Sequence, residues 1–546
     1  MSNALMSGVT GLRVHQQMLD VAGNNLANVN TYGFKSSRIT FAELLAETMR
    51  EGTQPTASVG GTNPQQIGSG VAVSSIVRDM SQGNLVNTGQ PLDMAVEGAG
   101  YFVMNDGEKD VYTRVGSFAV DAQYYLVDPG TGFRVQRIGS EGVAEGFQDP
   151  ASNNIRIPYD VALPAKATEG ITFAGNLSAD AVAPTTALLT SGVQYCESGI
   201  IAGRGTLLAD LDQASGLAPG DTIQITGTAR DGTAVNTAFT LAAGSTLGDL
   251  VDAITAAFPG SAAGLSNGEI RLSDGAAGYS LTDLYLTYAG GGSLELPDYF
   301  RMLSAGGQET RNTNVEVFDQ QGIRHVLSVA FTRTDQPDAW DVVLTSITGD
   351  VALDDRRVRN VTFSADGSFG GLGGATPDDP SFTLRFGGAG GPATAISLAM
   401  GTIGEFNGLS QFGGASTVAA SGQDGYEAGW LSSLSVSGEG VLQGMFTNGI
   451  RRDIATLKVA TFQNPAGLES IGGGYFSASA NSGAPVPTKA MTGGAGTVHG
   501  GSLERSNVEV AREFVTLIEA QNGYQANART IRVTNDMLRE LANLIR

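Results

Sequence analysis

The stretch GLSNG at residues 264–268 fits the G-x-S-x-G pattern, which in hydrolases places a nucleophilic serine on a sharp turn between a strand and a helix. Here the preceding stretch STLGDLVDAITAAF predicts a helix, and the following SNGEIRLSD predicts a turn and a strand. The expected order is therefore helix, loop, strand. Because a nucleophile elbow needs the opposite order, we do not expect a catalytic serine here.

Other residues that could do chemistry are scattered. His15, His325 and His499 lie far apart, without the paired spacing of metal ligands. Acidic residues are plentiful, but the sequence has no D-x-D-x-D-G calcium loop and no carboxylate pair that can be assigned to a cleft. The glycine runs GGLGG and FGGAGGP lack the Lys-Ser/Thr of a phosphate loop. We expect no catalytic residues, no cofactor, no metal ligands and no enzyme activity.

Length and composition indicate a large acidic protein made of several domains. At 546 residues the chain is too long for one core, and its 76 glycines and short Thr/Ser/Val stretches favour β-structure. The formal charge of −22 disfavours binding to nucleic acid or an anionic membrane. The single cysteine, Cys196, excludes an internal disulfide framework. The sequence shows no cleaved signal peptide and no apolar run that would span a membrane, so we expect no membrane insertion.

Both ends of the chain predict amphipathic helices. Apolar residues recur every seven positions in each, as in helices that pack along a seam. The repeats are Leu5, Leu12, Leu19 and Leu26 at the N-terminus, and Val510, Leu517, Tyr524, Ile531, Leu538 and Ile545 at the C-terminus. Ser506 or Asn507, before Glu509, is the expected N-cap of the second helix. Two interpretations stay open: each helix docks on its own domain, or the two pair for self-association.

The middle of the chain predicts nested domains. Residues 41–75 lose periodicity, as a linker or extended connecting arm does. Short alternating segments predict an inner β-domain from 76–160 with 403–502, and an outer β-domain from 161–185 with 311–402. Residues 186–310 predict an inserted α+β module, whose helix begins at a Ser245 or Thr246 cap. The expected fold is multidomain and mainly β, with paired terminal α-helices in a coiled-coil-like terminal domain of 1–40 with 503–546.

The run NNLANVNTYGFKSSR, at 24–38, resembles the N-terminal signature of the bacterial flagellar rod and hook family. TGQPLDMAVEGAGYFVM and YTRVGSFAVD resemble its first β-domain motifs, and the stretch from LERSNVEV onwards resembles its C-terminal helix. The matching positions that we single out are Asn24, Asn25, Asn28, Gly33, Phe34, Ser506 and Asn507.

The central block indicates which branch of the family is closest. EVFDQQGIRHVLSVAF, with Trp340, and the later GLSQFGGAS and ATFQNPAGLE resemble the hook members, whereas rod members are shorter and lack this block. Two departures are Gln320 with Gln321 before the glycine, and YYLVD, which lacks a turn glycine.

The resemblance implies a structural subunit of the flagellar hook that self-assembles into a curved hollow tube and acts as a universal joint. It implies as partners other copies of the chain, the rod, the hook cap, the hook–filament junction proteins and the export apparatus. It also implies a location outside the cell, at the base of the filament, after export without a cleaved signal peptide. The asparagines would then cap the helix exit, and Phe34 would anchor the chain after Gly33.

Two alternatives remain at this level. A hook-associated junction protein shares the terminal signatures, but its centre should be helical and lack the EVFDQQGIRH block. An extracellular β-rich adhesin or glycan-active enzyme would use the 186–310 module for binding.

Overall fold

The computed structural model describes residues 2–180, 183–374 and 379–544. The chain divides into two compact units: Met1–Leu163 with Gly429–Arg546, and Pro164–Ala428. Both units are mainly β-structure, and the first also contains the two long helices, so the expected fold class is confirmed.

The first unit contains the terminal helices. The N-terminal helix α1 spans Ser2–Ala27. The C-terminal helix α3 spans Val510–Leu544 and packs against α1. The pairing of the two chain ends is therefore confirmed.

The segment after α1 is a long β-hairpin rather than an unstructured linker. Strand Ser37–Glu43 pairs with Val71–Arg78, and Glu47–Arg50 pairs with Gln65–Ile67. The outer part of this hairpin is solvent-exposed. Its sequence therefore does not alternate between apolar and polar residues as a half-buried strand does. Residues 41–75 therefore contain paired strands, which the loss of periodicity in the sequence did not predict.

The β-domain of the first unit is formed by segments from both halves of the chain. Strand Tyr101–Asn105 pairs with Asp110–Thr113, with Arg134–Val135 and with Val459–Thr461. Beneath this sheet the rings of Tyr112 and Phe462 meet edge to face at 4.8 Å. The remaining strands of the unit are Leu85–Asn87, Met94–Glu97, Ala119–Val120, Leu126–Val127, Arg137–Ile138, Leu431–Val436, Val441–Phe446, Arg451–Leu457, Glu469–Gly472, Tyr475–Ser477, Val486–Thr488, Thr497–Gly500 and Ser502–Glu504.

The second unit is built on two sheets that share one core. The first sheet has the order Thr310–Phe318, Arg324–Arg333, Ala339–Ile347, Arg357–Phe363 and Phe369–Leu372. The second consists of Val351–Asp355, Ser381–Phe386, Ala393–Ala399, Gly170–Ser178, Leu409–Phe412 and Ala419–Gln423. Trp340, which is fully buried, lies in their common core.

The last two strands of that second sheet differ from the sequence-based boundary. Leu409–Phe412 and Ala419–Gln423 both pair with Gly170–Ser178, so residues 403–428 belong with the outer unit and not with the inner β-domain. Their partner strand lies more than 200 residues earlier, and local alternation carries no information about such a partner.

The inserted module is present with its predicted helix α2, Leu247–Ala257. Thr246 and Asp249 form a reciprocal capping box, so the predicted cap is confirmed. The core of the module continues onto Ala330 and Val343 of the five-stranded sheet. Its strands are Leu188–Thr190, Cys196–Glu197, Ile200–Ile201, Ala214–Ser215, Thr222–Thr228, Ala234–Thr240, Ser261–Ser266, Glu269–Asp274, Asp283–Ala289, Ser293–Leu294 and Arg301–Ser304.

The GLSNG stretch lies in this module as part of a hairpin. Residues up to Ser266 form a strand, where a loop was expected, and pair with Glu269–Asp274. Asn267 and Gly268 have φ of 55° and 77°, as in a tight two-residue hairpin turn. Ser266 therefore does not have the geometry of a nucleophile elbow.

Candidate assembly site

The two terminal helices approach each other through small residues. A Cβ atom on Gly8 would lie 2.9 Å from Ile531 Cγ1, and one on Gly11 would lie 2.5 Å from Asn527 Oδ1. A Cβ on Gly523 would lie 2.1 Å from His15 Nε2. Glycine at these points lets the backbones come close together, which a larger residue would prevent.

The predicted leucine repeat lies beside this contact seam. Leu5, Leu12, Leu19 and Leu26 are half-buried, while Val14 and Ala22 of the same helix are buried. On α3, Leu517 and Ile531 are half-buried, and Val510, Tyr524 and Leu538 remain about two-fifths exposed. Ile545 lies outside the described residues. The seven-residue repeat thus predicts the two helices, but only some of its residues face the partner helix.

The far end of α3 carries an exposed apolar stripe. Val533, Met537, Leu541 and Leu544 follow one another at helical spacing, and Leu544 is 79% exposed. Within the described residues no other element covers this stripe. Contiguous apolar surface of this kind marks an interaction site.

The Asn-rich run attaches the end of α1 to the arm. Asn25 is buried, donates from Nδ2 to Ser37 O at 2.8 Å and accepts from Ser37 N at 2.9 Å. Asn28 donates to Asn24 O at 2.9 Å, which closes the last turn of the helix. At the end of α1, Asn25 and Asn28 therefore both hydrogen-bond to backbone groups.

Gly33 requires a backbone that other residues rarely adopt. Its φ is +67°, and its amide donates to Glu504 O at 2.8 Å. A Cβ there would lie 3.0 Å from Val115 N. Phe34, the next residue, is half-buried, and its carbonyl accepts from Asn507 N at 3.4 Å.

Asn507 does not cap α3, because the helix begins three residues later, at Val510. Its side chain accepts from Ser36 N at 2.8 Å and donates to Asp79 O at 2.9 Å. Ser506 accepts from Val508 N in a local turn. The N-cap prediction was wrong for both residues, because the side chain of Asn507 has tertiary partners instead.

A buried ionic cluster joins the chain ends to the β-domain. Lys35 Nζ contacts Glu504 Oε1 at 2.7 Å, and Arg114 NH1 lies 3.5 Å from Glu504 Oε2. The three side chains are at most 3% exposed. We call Lys35, Arg114 and Glu504 the ionic clasp.

The clasp is also held by neutral groups. Lys35 donates to Ser81 O at 2.7 Å, and Gly83 N donates to Glu504 Oε1 at 2.8 Å. Arg114 donates to Gly98 O at 2.6 Å and lies over the Tyr101 ring. Burial lowers the pKa of Lys35, and the Glu504 carboxylate opposes that shift.

Family models match four parts of the chain. They are described as a flagella basal body rod protein at residues 5–35, a flagellar hook protein FlgE/F/G D1 domain at 95–178, a flagellar basal body protein FlaE D2 domain at 297–426, and a flagellar basal body rod FlgEFG protein C-terminal region at 499–544. The ionic clasp takes one residue from each of the first, second and fourth matches.

Curated relatives match the chain over its full length. The flagellar hook protein FlgE of Treponema pallidum is 31% identical over 550 residues, covering all of both chains. The chain belongs to the flagellar hook protein family. Hook proteins FlgE of Borreliella burgdorferi and Escherichia coli are 28% and 26% identical, again over essentially the whole chain. Membership makes this protein a structural component of the flagellar hook.

A solved structure of Helicobacter pylori flagellar hook protein FlgE2 matches at 17% identity, covering 76% of this chain and 99% of that one, with a TM-score of 0.40.

The central unit, Pro164–Ala428, consists of strands around one 11-residue α-helix in its described part. A junction protein with a helical centre does not fit this hook-family chain.

The histidines of this hook-family chain have separate partners. His15 contacts Gly11 O, His325 contacts Thr348 O, and His499 contacts Glu97. No set of three His, Cys, Asp or Glu side chains in the described ranges is arranged to hold a metal ion. In the same ranges, no helix has both the length and the apolar character of a membrane span.

Proposed function

We propose that this hook-family chain assembles with copies of itself into a curved hollow tube, which acts as a universal joint between the flagellar rod and the filament. The supporting observation is the exposed apolar stripe of α3, Val533, Met537, Leu541 and Leu544. Copies stacked head to tail would bury this stripe through heterologous contacts, which continue indefinitely instead of closing into a dimer.

The parts of the chain have different roles in this proposal. The terminal domain, 1–40 with 503–546, holds the tube together, and the arm at 41–75 reaches between neighbouring copies. The inner β-domain, the outer β-domain and the 186–310 module make looser, more polar contacts that slide as the joint bends. The seam residues Leu5, Leu12, Leu19 and Leu26, with Val510, Leu517, Tyr524, Ile531 and Leu538, support the helical layer.

The proposed partners are the rod, the hook cap, the hook–filament junction proteins and the export apparatus. The proposed location is outside the cell, at the base of the filament, after export without a cleaved signal peptide. The proposal includes no enzymatic step and no cofactor, in keeping with the hairpin-turn setting of Ser266.

A charge in the apolar stripe tests the proposal. We expect Met537→Asp to raise the critical concentration for polymerisation by on the order of a hundredfold, because burying an unpaired carboxylate costs several kcal/mol. Sedimentation of polymer at increasing subunit concentration measures this effect.

Asn535→Asp is the matched control. Asn535 is exposed and lies on the opposite side of α3 from the stripe, so this variant should polymerise like the wild type. Normal polymer from Met537→Asp would contradict the proposal.

Immunogold labelling of cells with antibody against residues 186–310 tests the location. We expect gold on a short curved segment between the cell surface and the filament. Gold along the filament or spread over the cell surface would contradict the proposed location.

A further inference from the structure

We infer that Glu504 is the positioning residue of the terminal domain: its carboxylate allows Lys35 and Arg114 to be buried together, so that α1 and α3 take their places on the β-domain as one unit. The part of this inference that concerns assembly rests on the proposed function. Glu504 reaches the clasp from the segment just before α3, Lys35 from the segment just after α1, and Arg114 from the β-domain.

The charges in the clasp are unequal. Two cations, Lys35 and Arg114, share the single carboxylate of Glu504. Their other partners are the carbonyl oxygens of Ser81, Val96 and Gly98, which accept hydrogen bonds but carry no neutralising charge. Asp79 is the next carboxylate that acts on Lys35, and it is exposed to solvent, which screens it.

Glu504 also holds the surrounding backbone. Its carbonyl accepts from Gly33 N at 2.8 Å, while its side chain accepts from Gly83 N at 2.8 Å. Directly after it, Arg505 N donates to Asn84 O at 2.9 Å. Glu504 and the residue after it therefore contact the segment that follows α1, at Gly33, and the segment that follows the hairpin, at Gly83 and Asn84.

The unequal charge leads to an unequal response to mutation. Lys35→Met removes one cation and leaves Glu504 paired with Arg114, a balanced buried pair. Glu504→Gln preserves an acceptor for Gly83 N but leaves two buried cations without a counter-charge. Removing one partner of a buried pair is strongly destabilising because the remaining charge is uncompensated.

The double variant separates this inference from a simple packing role. If Glu504 acts by neutralising charge, adding Lys35→Met to Glu504→Gln removes one stranded cation and restores part of the lost function. If Glu504 only fills space, each substitution removes contacts and the double variant is at least as impaired as Glu504→Gln alone.

The experiment compares the wild type with Lys35→Met, Glu504→Gln and the double variant, all in the full chain. The first readout is the critical concentration for polymerisation. We expect Glu504→Gln to raise it on the order of a hundredfold, Lys35→Met by less than about tenfold, and the double variant to fall between them. Glu316→Gln is the control, since Glu316 is paired with Arg324 on the surface, where both side chains are more than half exposed.

Hydrogen exchange of the unassembled chain is the second readout. Glu504→Gln should lose protection together at residues 25–37 and 503–510, while strand Tyr101–Asn105 stays protected. A critical concentration within twofold of wild type for Glu504→Gln, or a double variant worse than Glu504→Gln, would overturn the inference. A wild-type chain that never polymerises would instead overturn the proposed function, and the exchange pattern would then decide the role of Glu504 by itself.

Discussion

At the scale of single residues, the terminal junction depends on side chains with partners far away in the sequence. Lys35, Arg114 and Glu504 each lie inside a stretch that resembles a family motif, but none of the three was predicted as a site residue. A charged residue in a loop is expected to face solvent unless its partner is known. These partners are up to 469 residues apart, so the local sequence does not identify them. The signal that could have identified them was the presence of charged residues in each of three separate motifs.

Asn25 gives a first test at this scale. Asn25→Ala removes two hydrogen bonds and leaves the amide and carbonyl of Ser37 without that partner. We expect the free energy of unfolding of the first unit to fall by about 1–3 kcal/mol. Chemical denaturation measures the loss. Asn24→Ala, at an exposed position, should change it by less than about 0.5 kcal/mol, and equal effects would contradict the account.

Gly33 gives a second test. Gly33→Ala should lower the stability of the first unit by about 1–2 kcal/mol, because φ is +67° and the added Cβ crowds the backbone at Val115. The control is Gly23→Ala, near the C-terminal end of α1, where a Cβ meets nothing within 4 Å. That change should stabilise the helix by about 0.5–1 kcal/mol. If thermal unfolding shows that both substitutions change the stability in the same direction, this explanation is wrong.

At the scale of elements, local sequence patterns predicted the helices, because helix formation depends on residues that are near one another in the sequence. The seven-residue repeats predicted α1 and α3, and the Ser-Thr start with its apolar face predicted α2. The hairpin at 37–78 and the assignment of 403–428 were missed. Both depend on strand partners, which a stretch of sequence does not identify by itself.

The cap of α2 is testable at this scale. Thr246→Ala should lower the stability of the outer unit by about 1 kcal/mol, because Thr246 accepts from Asp249 N and Asp249 accepts from Thr246 N. The hydrogen bonds that the Asp249 carboxylate accepts from Thr246 N and Thr246 Oγ1 hold its pKa below the ordinary 3.8. The carboxylate therefore contributes stability above pH 4 and loses that contribution as pH falls through its folded pKa.

The difference in the free energy of unfolding between wild type and Thr246→Ala should consequently become smaller below about pH 4. Urea unfolding at a series of pH values measures it. A difference in unfolding free energy that stays constant or widens as the pH falls would contradict this contribution of the Asp249 carboxylate.

At the scale of the whole molecule, the net charge of −22 opposes association of identical copies. In the proposed assembly, apolar surface such as the stripe on α3 supplies the attraction between copies. We expect the critical concentration to fall as ionic strength rises from about 0.05 to 0.5 M, because salt screens the repulsion and leaves apolar contacts intact. A steady rise with salt in the sedimentation assay would indicate that ion pairs between copies dominate.

The most direct measurement is a cryo-electron microscopy reconstruction of tubes assembled from the purified chain. We expect α1 and α3 to make contacts that hold the tube together, and Val533, Met537, Leu541 and Leu544 to be buried against neighbouring copies. A tube in which these four side chains face open solvent, or in which the terminal helices make no contact with neighbouring copies, would contradict the proposed assembly.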